Sequence, residues 1–463
     1  MKTSNGPRTL LSIIGITALA LTAIGAVGPV AADDTTATSA AASASPDNPV
    51  VPSVPLDLDP NDGVTAGMVG AHGVVASGEA VPADLGELQR SESTRTCSPV
   101  NSRGVSVCVE DGKSDPRAQA QVEARAGARV EAQAAGSSHV PLPVWCKQHG
   151  VDNQYWANRF ETCGVFSKRV SVVELRGKKP IVTGTMDFNF YNYIYAAGDN
   201  TTWANQIEIS PWSITGTAAG LSVTGNAVCT WSCPQMTRTS SFPPQTSTLT
   251  TSSYGESFFT WTGVLGAVTR VNPQWDVYFD APTLVGATVL MTTNPAPVMR
   301  CDDALPNVVP GCAIPDVVTG SAYYSLSQFP TFGAHVAAAQ ASGLPGGQYP
   351  NPLHRLVNSA LQQQNRDTAC PQNASLPRPE GFSCDEYPFA STFEGASTGG
   401  GTARTQDWCQ VTLPGVPSTG AVGYSICMIN AAENSLAGSL LQSQVFKPYR
   451  IIDRDAFYVA VTS

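Results

Sequence analysis

Cys384-Asp385-Glu386-Tyr387-Pro388-Phe389-Ala390-Ser391-Thr392-Phe393-Glu394-Gly395 is the stretch from which the fold of this chain is read. It sets three carboxylates, Asp385, Glu386 and Glu394, among residues that are otherwise mostly apolar or small. Only 13% of the chain is Asp, Glu, Lys or Arg, so such a cluster beside aromatics and a turn-forming Pro388 stands apart from ordinary surface. Carboxylates held against apolar side chains are the raw material of metal binding and general acid/base work. The plainer alternative is that Asp385 and Glu386 fix a turn while Glu394 faces water. Residue chemistry alone leaves both open.

Outward from this stretch, helix and strand signals alternate from Ser321 to the end of the chain. Thr331 is placed to cap a helix from Phe332 to Ser342 that ends at Gly343. Pro352 opens a second helix in which Leu353, Leu356, Val357, Ala360 and Leu361 recur at helical spacing. The Cys384 stretch begins as a short strand, Gly399-Gly400-Gly401 is loop, and Tyr424 to Ile429 is a strand. Glu433-Asn434 then open a helix with Leu436, Leu440 and Leu441 inward, ended by Lys447-Pro448. Ala456 to Val461 is the last strand. A strand bearing Asp385, a long loop, a second strand and a helix with Asn434 in its first turn is the order of a ββα-metal site. The expected class is α+β, a ββα-metal-type domain at 321–463 behind a β-rich domain.

The N-terminal half reads differently. Lys2 and Arg8, the apolar run Leu10 to Val27 and the small residues Val30-Ala31-Ala32 predict an export signal over 1–32. No later stretch is long and apolar enough to span a membrane, so the expected mature chain is exported, soluble and monomeric. Residues 33–139 are expected as disordered or linking chain, rich in Ala, Ser, Thr and Pro. Within them Cys97 to Cys108 closes a hairpin, and 116–136 is a solvated helix or tether without an apolar stripe. From 140 to 320, runs such as Val170 to Leu175, Ile181 to Met186, Asn205 to Ile209 and Val277 to Phe279 predict a sandwich-like all-β domain of unknown role. Its aromatic stripe Phe188, Phe190, Tyr191, Tyr193 suits core packing first and sugar binding second.

The chain has twelve cysteines that fall into near neighbours: 97/108, 146/163, 229/233, 301/312, 370/384 and 409/427. Proximity suggests disulfides of an oxidising compartment. A zinc site would need a second short pair beside Cys229 and Cys233. The net charge of −10 excludes a strongly basic nucleic-acid coat, though not an enzyme with a local positive track. With five histidines and no Gly-x-Ser-x-Gly elbow, the parts of a serine hydrolase are missing.

Asp385-Glu386-Tyr387-Pro388 through Glu394-Gly395, followed by Asn434 and Ala437-Gly438, resembles the NucA/NucB family of secreted bacterial deoxyribonucleases. Phe329-Pro330 and Gly333-Ala334-His335 resemble its opening segment. The resemblance runs from about Ser321 to Val461. Tyr387 and the Cys370/Cys384 bracket depart from the short members. The basic residue of the strand before the Asn-led helix is replaced in the neighbourhood by Cys427. The resemblance implies endonuclease action on extracellular DNA with little sequence preference and with a divalent metal, Mg2+ or Mn2+. It also implies Asp385 as general base where related sites use histidine, Glu394 as a group that orients water or the metal shell, and Asn434 as metal ligand. Glu386 is a further catalytic candidate that suits a salt bridge equally. His335 is expected as a satisfied partner between elements, and His354 at the surface. The alternative function is a secreted β-sandwich adhesion or carbohydrate-binding protein with an inactive nuclease-like domain. It turns on whether Asp385, Glu394 and Asn434 converge.

Overall fold

Long antiparallel strands dominate the computed structural model, as the β-branched and aromatic runs require. It describes residues 95–113, 115–122, 140, 142–143, 145–146, 149–230, 232–281, 286–316, 320–347, 350–372, 376–413 and 418–463, with the short strands Met68–Val69, Val74–Ala76 and Val81–Pro82. The chain divides into units Met1–Val54 and Pro55–Ser463, and all that follows concerns the second. The expected export signal lies outside the described residues.

A nine-stranded sheet is built around Glu161–Arg176, Lys179–Ala197 and Asn200–Gly216, paired antiparallel in sequence order. Side chains alternate across it. Phe188 and Phe190 enter the main core, while Tyr191 and Tyr193 pack on the other side with Trp145, Val165 and Cys163. A four-stranded sheet containing Ser222–Cys229 and Pro273–Asp280 lends Val223, Trp275, Val277 and Phe279 to the same main core. The Phe188 and Phe279 rings meet at 5.3 Å. The whole aromatic stripe is thus packing, which removes the feature that pointed to sugars.

The expected linker supplies structure. Val105–Asp111 pairs with Glu161–Arg176, and Val105, Val107 and Val109 enter the main core. Residues 116–122 are helical and dock one face through Ala118 and Val122, while Pro116, Arg117 and Ala120 stay exposed. The rest of the expected tether, 123–136, lies outside the described residues.

Toward the C-terminus, strand β1 (Gly320–Ser325), helix α1 (Pro330–Ala341), helix α2 (Ser359–Ala369), strand β2 (Phe382–Tyr387), strand β3 (Tyr424–Asn430), helix α3 (Ala431–Leu440) and strand β4 (Ala456–Thr462) follow in order. β1 lies parallel to β4, with Val74–Ala76 on its other side and Leu353–His354 beyond β4. β2 and β3 form a separate antiparallel pair, edged by Ala403–Arg404. Phe332, Val336, Tyr387, Ile429, Ala437, Phe446 and Phe457 share the second core.

Three helix starts differ from expectation. α1 begins with Pro330 in its first turn, and Thr331 does not cap it. Glu433, reaching over from α3, accepts from the Thr331 and Phe332 amides at 2.8 and 3.0 Å, meeting the open N–H groups with a negative charge. The helix expected from Pro352 begins at Ser359, where Asn358 accepts from the Ala360 and Leu361 amides. Leu353 lies instead in a strand opposite Phe457. Asn430, not Glu433 or Asn434, caps α3, and Leu436 is exposed while Leu440 and Leu441 are buried.

All six proximity pairs are disulfides. No helix among the described residues is long and apolar enough to cross a membrane. The two cores are joined by buried charge. Arg159 and Arg300, from the β-rich part, both bind Asp455 just ahead of β4, at 2.8 and 2.6 Å. Arg450 reaches back to Asp302 and to the carbonyls of Gly198 and Val309. Arg159, Arg300, Arg450 and Asp302 are wholly buried.

Candidate active site

β2 carries the motif because Asp385 to Tyr387 pairs residue by residue with Cys427 to Ser425 of β3. Neighbouring strand residues face opposite ways. Asp385 turns toward α1, where its Oδ2 lies 2.6 Å from His335 Nδ1. His335 Nε2 lies 2.9 Å from Ser425 Oγ on β3. A neutral ring that donates from Nδ1 to the carboxylate and accepts the serine hydroxyl at Nε2 satisfies all three groups. His335 is fully buried and cannot touch a substrate. It is the partner between elements that was expected, and it lies against the motif although fifty residues separate the two in sequence. Among the described residues no hydrogen bond occupies Asp385 Oδ1.

Asp385, Glu386 and Asn434 line one cleft of about 290 Å³, bounded by β2, α2 and α3. Glu386 is half-buried there, and its carboxyl is pushed up to about 8, chiefly by burial and then by the charge of Asp385, with Arg366 acting the other way. Asn434 does not cap its helix. Its Nδ2 donates to Ser383 Oγ at 3.0 Å and to the Cys384 carbonyl at 3.1 Å. Its amide nitrogen is thereby committed to β2, while Oδ1 accepts no hydrogen bond among the described residues. Gly438, one turn on from Asn434, also lines the cleft, and a Cβ there would meet open space.

Glu394 is not brought to this cleft. Its carboxylate holds the His354 amide at 2.9 Å and His354 Nδ1 at 2.7 Å. The expected convergence therefore holds for Asp385 and Asn434, with Glu386 in the company and Glu394 elsewhere. Gln362 and Arg366 of α2 complete the cleft, and the carboxylate-centred reading of the sequence missed them. Their spacing of four residues on a helix was the available signal.

Among the described residues no three of His, Cys, Asp and Glu gather as a ready metal cage. The oxygen donors present, Asn434 Oδ1 and the Glu386 carboxylate, suit a hard cation that keeps much of its water shell and takes its remaining ligands from substrate.

The family described as Deoxyribonuclease NucA/NucB matches this chain over residues 348–460. The match spans α2, β2, β3 and α3, and α1 with His335 lies ahead of it. No curated protein and no solved structure matches the chain.

Proposed function

We propose that this chain is an exported, metal-dependent deoxyribonuclease that hydrolyses phosphodiester bonds of extracellular DNA with little sequence preference. The family match over 348–460 supports a nuclease acting on DNA. The six disulfides fit an oxidising compartment outside the cytoplasm. The observation that carries the reading is the meeting of Asp385, Glu386 and Asn434 in one cleft, with Asp385 held from behind by His335.

Asp385 is the general base in this reading. With Oδ2 tied to His335, Oδ1 takes the proton of the attacking water. His335 and Ser425 fix the plane of that carboxylate without meeting the substrate. Asn434 is the metal ligand, and its Nδ2 bonds to β2 set the distance between the ligand and the base. A bound Mg2+ or Mn2+ supplies the positive charge that offsets charge developing on the phosphate and leaving oxygen. Glu386 stands beside the base, its carboxyl pushed up to about 8, so it is mostly protonated at neutral pH. Glu394, through His354, positions the Leu353–His354 strand.

Plasmid digestion by the purified protein, with and without chelator, tests the whole reading. Asp385→Asn keeps the shape and removes the base, so the rate should fall on the order of 10²–10⁴-fold and stay low in excess metal. Asn434→Ala should instead regain part of its rate as metal is raised. Near-normal turnover by Asp385→Asn would place the base elsewhere, and intact plasmid after long incubation with metal would sink the nuclease reading.

A further inference from the structure

The chain carries a net charge of −10, and its cleft holds the acidic side chains Asp385 and Glu386, yet a DNA substrate arrives as a dense line of negative charge. Beyond the proposed metal, a cation of the chain itself at the cleft would favour its approach. Most arginines of the C-terminal part are otherwise engaged. Arg355 and Arg404 are buried and donate to backbone carbonyls, Arg355 to Ile451 and Arg404 to Ser342, Gly420 and Val422. Arg450 is locked into the buried cluster between the cores. Arg378 donates to the carbonyls of Cys370 and Pro371.

Arg366 differs. Among the described residues lining the cleft it is the only cation. It is exposed and forms no salt bridge among the described residues, and its guanidinium reaches only Gln362 and Gln363 Oε1, each at 3.5 Å. The helix beneath it is held on both sides. Asn365, wholly buried, donates to the Ala390 and Thr392 carbonyls at 2.9 and 3.2 Å and accepts the Ser397 and Thr398 amides, both at 2.9 Å. Cys370, which ends α2, is bonded to Cys384, the residue before Asp385. A guanidinium without a salt bridge, whose charge is felt by Glu386 across the cleft, thus stands on a helix that a disulfide and a buried amide fix relative to the base.

We infer that Arg366 binds a backbone phosphate of DNA at the mouth of the cleft, with Gln362 as its neighbour on the same helix face, an inference that rests on the deoxyribonuclease reading. A guanidinium matches two phosphate oxygens at once, and a phosphate contact conveys no base identity. Such a contact is compatible with cleavage at many sequences.

The test is the salt dependence of cleavage by the full chain. Arg366→Gln should lower kcat/KM about tenfold at low NaCl, and the slope of log kcat/KM against log salt should be shallower by about one. The deficit should shrink as salt rises. Arg366→Lys restores the charge without the planar fork, so it should recover the slope and only part of the rate. Equal slopes for the wild type and a normally melting Arg366→Gln overturn the inference, as do Lys and Gln variants that behave alike. If the wild type cleaves no DNA, the nuclease reading falls, and anisotropy of a fluorescein-labelled duplex over the same salts decides the contact. A slope shallower by about one for Arg366→Gln then supports it, and equal slopes or absent wild-type binding overturn it.

Discussion

Glu386 is the cleft residue whose carboxyl is most favoured in its protonated form. Its carboxyl moves from an ordinary 4.5 to about 8, through burial first and the neighbouring Asp385 second. Between those two values the folded chain binds a proton that the unfolded chain does not, so this group withdraws stability as pH rises through that window. Glu386→Gln removes the titration. In chelator, the variant should melt above the wild type at pH 8.5 and level with it near pH 4. Melting curves that keep the same offset at every pH would show that Glu386 does not titrate in this range.

At the scale of the element, α2 depends on its bond to β2. Little apolar surface holds it, since Asn365 and Ala369 are its buried residues. The Cys370–Cys384 disulfide and the Asn365 hydrogen bonds do the holding. Replacing Cys370 and Cys384 together by alanine should cost about 2–5 kcal/mol in urea denaturation. It should also raise KM for DNA more than it lowers kcat, because Arg366 loses its fixed place while Asp385 keeps His335. A change in kcat alone would show that the disulfide serves β2 and not the α2 wall.

At the scale of the molecule, the β-rich part and the nuclease-like part are joined through Asp455. Burial raises its carboxyl, but Arg159 and Arg300 outweigh burial and hold it below the usual range. Stability from this ion cluster is therefore present above the ordinary carboxylate range and fails only as pH falls below it. Asp455→Asn leaves Arg159 buried without a carboxylate and Arg300 with Asp302 alone, and should cost about 3–5 kcal/mol at neutral pH. Chemical denaturation followed by tryptophan fluorescence measures it. A loss under 1 kcal/mol would mean that water replaces the carboxylate. The chain from Gly320 onward is also incomplete as a sheet, since Val74–Ala76 pairs with β1 from the far end of the sequence.

What the sequence by itself determined is what local chemistry controls. The six disulfides joined cysteines already near one another in the chain, so loop closure alone indicated them. β3 and β4 were legible from their apolar runs, and β2, Asp385 and Asn434 from the motif around them. Tertiary structure decided what depends on partners far away in sequence. Leu353 suited a helix by spacing and became a strand because β4 offered it Phe457. Glu433 became the cap of another helix, and Glu394 left the motif for His354. His335 reached Asp385, and Arg366 reached the same cleft, only because α1 and α2 pack against one strand. A side chain's type and spacing are written in the sequence, but its partner is chosen by which surfaces the cores bring within hydrogen-bonding distance.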